Sequence, residues 1–240
     1  TIIAKCCHDL DLIVWLMDKK FTAVSSFGKL FWFTPENAPA GSAEYCCECS
    51  ESVKKNCLYD AYKIYPERME KTVVGGLARL KGQSIYDILA EKKDKVSRCV
   101  YHSHNDAIDN QIVNMEFEDG SNANLTMTAF SKECYRTTHI HGTKGDVYGN
   151  SEDGLLYVNL YGEEEKVVDV NKDALFNTDG ITLTDGHGGG DYYLYKDFID
   201  YISDGKDSVT RTTINQSIES HVMGFKAEES RLNGGKVIES

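Results

Sequence analysis

The chain has 240 residues, 41 % of them hydrophobic and 27 % charged, with three prolines and no low-complexity run, which supports a packed core and argues against extended disorder. Its 26 Lys and Arg face 38 Asp and Glu, a net charge of −12, and so acidic a surface repels phosphate backbones and anionic lipids, excluding generic binding to nucleic acid or to acidic membranes. The longest apolar run, LIVWLM at 12–17, falls far short of the ~20 residues a membrane span needs.

The first predicted element is a helix over 6–18. Leu10, Ile13, Val14 and Met17 recur at helical spacing, with Trp15 and Leu16 widening the apolar face. Asp9 and Asp11 fall in the first turn, where acids complement the helix dipole. FTAVSSFGKLFWF (21–33) is β-branched and aromatic and reads as a strand, bent at Gly28. Residues 34–57 break this pattern with two prolines and four cysteines, and read as a long excursion loop. Short helices are predicted near 58–65, 70–80 and 84–94. Ser84 opens the last of these, with Asp87 three residues on, a capping-box variant.

The middle of the chain is strand-rich. In 111–130, Val113, Met115 and Phe117 alternate with polar residues, as do Leu125 and Met127, and the Asp119-Gly120 step suits a tight primed turn. Segments 136–150, 155–162 and 165–170 continue the pattern, so the strands are expected in one open sheet. Two helices close the chain. In 192–203, Leu194, Phe198, Ile199 and Ile202 share a side. In 212–234, Ile214, Ile218, Val222, Phe225 and Ala227 are expected inward, and Asn233-Gly234 ends the helix. The fold class is therefore α+β: an open, mostly antiparallel sheet with helices packed on one face, as a single domain over 1–240 carrying the Cys-rich excursion. No G-x-G-x-x-G follows a strand and no βαβ alternation occurs, so a dinucleotide crevice is not expected within this chain.

Four stretches, KCCHDLDLIVWL (5–16), HNDAIDNQIVNMEFEDG (104–120), DGHGGGDYYLYKDFI (185–199) and SIESHVMGFKAEESRLNGG (217–235), together resemble the C-terminal half of the Gfo/Idh/MocA oxidoreductases. HIHGTKGDVYG in the strand block adds to the likeness, which spans nearly the whole chain. The resemblance implies an N-terminal Rossmann domain, not contained here, that holds NAD or NADP. It also implies a substrate-binding domain whose first helix opens with a histidine facing the nicotinamide, here His8. Many members place an Asp four residues earlier. Here that position is Ala4, with Lys5 adjacent as the group able to reach the site.

In that reading His8 takes the proton of a substrate hydroxyl as hydride leaves its carbon, a task suited to a neutral imidazole near pH 7. Read without the family, His8 is only a polar residue in a helix first turn. His187 and Asp191 flank the glycines of GHGGGD, where a side-chain-free backbone lets a hydroxylated ligand come close; Asp191 reads equally as the cap of the next helix. His221 lies at the edge of its helix's apolar stripe, as a ligand contact or a satisfied core histidine. Asn105 and Asp106 lead into a strand and read as cleft residues or turn formers.

Eight cysteines, two pairs of them adjacent, suit free thiols in a reducing cytoplasm better than a disulfide framework. Cys46 and Cys49 have C-x2-C spacing with Cys47 between them and Cys57 nearby, the start of a zinc thiolate knuckle, but no second pair follows and a fourth ligand would have to come from afar, so reduced thiols in a surface excursion are the leading reading and no metal ligand is assigned. The polar hairpin face of Asn114, Glu116, Asn124, Thr126 and Thr128 is available to pair subunits, and a homodimer or tetramer is expected. The functional expectation is the substrate-binding and dimerisation domain of an NAD(P)-dependent oxidoreductase acting on a sugar, polyol or related compound, with no tightly bound cofactor of its own. The alternatives are part of an NAD-dependent glycosidase of the same superfamily, suggested by the His-Gly-Gly stretch, and a non-catalytic scaffold, suggested by Ala4.

Overall fold

A computed structural model describes residues 2–67, 73–91, 95–170, 172 and 190–240. They fall into two compact units, one of 1–130 with 209–240 and one of 131–208. The architecture is α+β, as expected, but the strands divide between two four-stranded antiparallel sheets. The connection after Thr128 ends one hairpin, and the four strands between Thr137 and Asp169 pair only among themselves.

The first unit opens with α1 (Ile2–Lys5) and α2 (Cys7–Met17), followed by β1 (Phe21–Lys29). Only Cys6 separates the helices, and the bonds from Cys6 N–H to Ile2 O and from Leu10 N–H to Cys6 O (both 2.9 Å) carry the spiral across it. The helical segment thus starts earlier than the expected residue 6. Asp18 ends it in a left-handed conformation, its N–H on Val14 O. The expected bend at Gly28 does not occur. Pairing with β2 (Asn110–Phe117) runs unbroken through Gly28 and Lys29, and the irregularity falls between Phe21 and Ala23. Glycine at 28 serves close approach instead, because a Cβ there would lie 2.7 Å from the Asn110 carbonyl oxygen.

β2 turns into β3 (Asn122–Thr128), and the sheet order is β3-β2-β1-β8, with β8 at Ile238–Glu239. The turn is not the two-residue primed type. The Phe117 N–H bonds Ser121 O across a three-residue loop, and Gly120 supplies the left-handed position at φ +82°. Alternation works as read: Val113, Met115 and Phe117 are buried, and Asn114 and Glu116 are exposed. The buried face packs against α1, α2 and α8 (Ile214–Leu232), joining Ile2, Leu10, Val14, Val24, Met115 and Met223 in one core.

The inward face of α8 differs from the expected one. Ser220, Met223, Gly224, Ala227 and Ser230 are buried, whereas Ile214, Ile218, Val222 and Phe225 are exposed. Small side chains let α8 seat closely on α2 and β1. At Gly224 an added Cβ would press on Ile3 and come within 3.1 Å of Leu10 Cδ1. Fit, not the strongest apolar stripe, chose the buried face.

The excursion is not a bare loop. One-turn 3₁₀ segments at Pro35–Asn37 and Cys46–Glu48 lead to α3 (Glu51–Asn56), α4 (Ala61–Glu67), α5 (Val73–Lys81) and α6 (Ile85–Ala90). Cys46, Ala61, Ala78, Ile85, Ile88 and Leu89 form a second core there. The Ser84–Asp87 capping box is present in both directions. The second unit holds β4 (Thr137–Gly142), β5 (Gly145–Asn150), β6 (Leu155–Leu160) and β7 (Lys166–Asp169) in meander order, then α7 (Gly190–Asp204). The side chains of Leu194, Phe198, Ile199 and Ile202 on α7 are exposed.

Candidate functional site

Lys5 ends α1 and His8 lies in the first turn of α2; both are exposed. The packing of α2 on α8 brings a second set of polar groups to this ridge. Ser220 Oγ donates to Asp11 Oδ1 at 3.2 Å, and Asp11 stands one helical turn beyond His8, on the same side of α2. On α8, His221 follows Ser220 directly and is exposed rather than a core histidine. Its Nδ1 lies 2.6 Å from the Ser217 carbonyl oxygen. A carbonyl only accepts, so Nδ1 carries the proton, and in the neutral ring Nε2 is left as the proton acceptor. The α2–α8 contact thus holds a carboxylate on a buried serine, while Lys5 at the end of α1, His8 on α2 and His221 on α8 are exposed. From the sequence Asp11 reads only as an acid suited to the helix dipole, and Ser220 is not singled out. The available signal was the His8–Asp11 spacing together with a serine inside a helix's packed face.

Asn105 and Asp106 belong to other parts of the first unit. Asn105 folds onto its own loop, accepting the Ala107 N–H at 2.8 Å and donating to Ser103 Oγ, the turn-forming role that the sequence offered as an alternative. It also lines an open cleft of about 680 Å³ within the first unit, with Leu30, Phe33, Tyr45, Arg98 and Asp109. Asp106 is exposed, and its charge acts on Arg231 at the far end of α8. Ten residues of helix, about 15 Å at the usual rise, separate Arg231 from His221. Asp191 is the second residue of α7, inside its first turn and not at the cap. His187 lies outside the described residues.

Around the cleft the electrostatics are set by two groups. Arg98 pairs with Glu44 Oε1 at 2.8 Å and donates to the Tyr45 hydroxyl at 3.2 Å. Asp109 is buried and takes the backbone N–H groups of Phe31, Trp32 and Phe33 at 2.8–3.2 Å. Burial opposes its charge, but these bonds and one from Asn110 outweigh it and hold the carboxyl below its ordinary range. Nearby, burial pushes the Cys46 thiol up to about 11. None of the eight cysteines is in a disulfide. No strand pair here is parallel, so no βαβ crossover among the described residues offers a pyrophosphate its usual helix N-terminus.

With this geometry in place, the comparisons with known proteins can be read. Residues 1–237 match the family model for the oxidoreductase family, C-terminal alpha/beta domain. The chain belongs to the Gfo/Idh/MocA oxidoreductase family. Among solved structures, an oxidoreductase domain protein from Kribbella flavida superposes with a TM-score of 0.58 at 14 % identity, covering 99 % of this chain and 50 % of that one. A levoglucosan dehydrogenase in complex with NADH and levoglucosan gives 0.56 at 14 % identity, over 98 % and 48 %. An oxidoreductase from Pseudomonas syringae gives 0.51 at 12 % identity, over 97 % and 49 %. These likenesses show a shared fold, and the chain spans about half the length of the proteins it resembles. A search of curated proteins finds no match. Among the described residues no helix is long and apolar enough to cross a membrane.

Proposed function

We propose that this chain is the substrate-binding and dimerisation part of an NAD(P)-dependent oxidoreductase acting on a sugar, polyol or related hydroxylated compound. The observation that carries the proposal is the match of residues 1–237 to the C-terminal domain of this oxidoreductase family. The polar α2–α8 ridge suits a hydroxylated ligand, and the fold is shared with a levoglucosan dehydrogenase held with NADH. The described residues do not fit a dinucleotide's pyrophosphate, so the cofactor would be bound outside them. It would supply the hydride acceptor.

The chain's own residues would do the rest. His8 would take the hydroxyl proton as the carbon gives up hydride, since an alkoxide left unassisted at neutral pH is costly. Lys5 would stabilise the developing oxyanion. His221, oriented by Ser217, would accept a hydrogen bond from a neighbouring hydroxyl through Nε2. Two subunits would meet through the open polar face of β2 and β3.

The test uses the full-length protein. Sugars and polyols are screened for reduction of NAD and NADP, and His8→Ala is compared with wild type on the best substrate. A loss of about 10²–10⁴ in kcat, with unchanged circular dichroism, is the expected outcome for a general base. Unchanged turnover in His8→Ala overturns the role of His8. Absence of nicotinamide reduction with every compound tested overturns the redox assignment. Sedimentation showing only monomer at working concentration removes the dimer.

A further inference from the structure

The excursion between β1 and β2 brings together thiols that are scattered in the sequence. Cys46 and Cys49 are the first residue and C-cap of one 3₁₀ turn, with the Cys49 N–H on Cys46 O at 3.3 Å. Both residues line the same cavity. Cys57 caps α3, its N–H on Val53 O at 2.9 Å. Cys99 arrives from much later in the chain. An antiparallel bridge between Tyr45 and Arg98 and a 2.8 Å bond from Cys99 N–H to Glu44 O fasten it beside the Cys46 turn. All four cysteines, with the buried Asp60, line one cavity of about 10 Å³, the room a single water-sized particle takes.

Hydrogen bonding at the sulfurs is a second observation. The Ala43 N–H points at Cys49 Sγ at 3.3 Å. Ala61 gives its backbone N–H to Cys46, and Tyr59 gives its own to Cys57. A thiolate accepts such bonds better than a thiol does, so these backbone donors partly offset the burial that keeps the Cys46 and Cys57 thiols protonated, and such donors are the outer-shell pattern that supports metal thiolates. Four cysteines and a carboxylate also line this one small cavity.

We propose that Cys46, Cys49, Cys57 and Cys99 bind one zinc ion as a tetrathiolate site that fixes the excursion onto the body of the first unit. Among the described residues no group of three His, Cys, Asp or Glu is already set to hold an ion, so the four Sγ atoms turn toward their shared cavity as the ion enters. At Zn–S bonds of about 2.3 Å in a tetrahedron, the sulfurs close to about 3.8 Å from one another. Each S–H bond gives way to a Zn–S bond, four protons pass to solvent, and no electron moves. Cys47, between the first two ligands, lies outside the cavity lining.

The experiment is metal analysis of the full-length protein made in zinc-supplemented medium and purified without a polyhistidine tag. The expected result is about one zinc per chain, fourfold thiolate coordination being the ordinary closed structural site. Cys57→Ser and Cys99→Ser should lose most of the metal, while Cys47→Ser keeps it. Cobalt substitution of the wild-type protein gives an answer that survives a variant failing to fold. A strong thiolate-to-cobalt charge-transfer band with tetrahedral ligand-field bands supports the site. Less than about one zinc per two chains, no cobalt–thiolate band, or full metal content in a folded Cys99→Ser protein overturns it. None of these readouts depends on activity, so the metal site and the redox assignment fail independently.

Discussion

Replacing Asp109 with alanine is the sharpest test of how the cleft is held. Its buried carboxylate is the acceptor for three consecutive backbone N–H groups, those of Phe31, Trp32 and Phe33. These residues follow β1 directly and carry the aromatic wall in which Phe31 packs on Phe130 and Phe33 on Tyr59, with centroids 5.5 and 5.0 Å apart. A hydrogen bond to a charged group contributes about 1.5–3 kcal/mol, and a stranded buried donor costs about 1–3 kcal/mol. The three donors are only part-buried, so water recovers some of the loss. A net destabilisation of about 3 kcal/mol remains, with the lower ends of those ranges summed over three donors. Urea unfolding of the full-length protein, followed by tryptophan fluorescence, would show a midpoint lowered by about 1–2 M at an ordinary m-value. Because the folded carboxyl is held below its ordinary range, its contribution is fully present above about pH 4 and is lost as pH falls through the lower folded value. Wild type and Asp109→Ala should therefore converge in stability under acid. A loss below about 1 kcal/mol at pH 7, or a difference that persists unchanged into acid, refutes the reasoning.

Three further substitutions probe other levels of the fold. Leu10→Ala empties the centre of the α2–sheet–α8 core, where Leu10 has no exposed surface; a loss of about 2–5 kcal/mol is expected from the cavity, measured by chemical denaturation. Ser230 Oγ accepts the buried Ser26 N–H at 2.9 Å and donates to Lys236 O at 2.6 Å. Ser230→Ala strands the Ser26 donor and should cost about 1–3 kcal/mol, with faster amide exchange at Ser26 as the local readout. Ser84→Ala removes the bond that Ser84 Oγ accepts from the Asp87 N–H at 3.2 Å, leaving the Ser84 N–H on the Asp87 carboxylate, and should cost about 1 kcal/mol. Addition of a new N-cap, Ser84→Thr, should restore most of it.

Local pattern in this chain is reliable wherever one face of an element meets one surface. Val113, Met115 and Phe117 alternate because the hairpin has a core on one side only, and Ser84 with Asp87 forms its capping box because both partners are three residues apart. The family was legible for a related reason: His8, the hairpin and the last helix keep their order and spacing along the chain. Contacts between distant residues left no such mark. The buried side of α8 was decided by the close seating that Ser220, Gly224 and Ala227 allow against α2, and that geometric fit outweighed the greater hydrophobicity of Ile214, Ile218 and Phe225. The partition of strands into two sheets depends on which strand edges pair, and alternation is the same in either arrangement. Cys46, Cys47, Cys49 and Cys57 stand close together in the sequence. Only the folding of Arg98 against Tyr45 delivers Cys99 to them, because the pairing of two extended segments depends on backbone hydrogen bonds that any side chain can accompany.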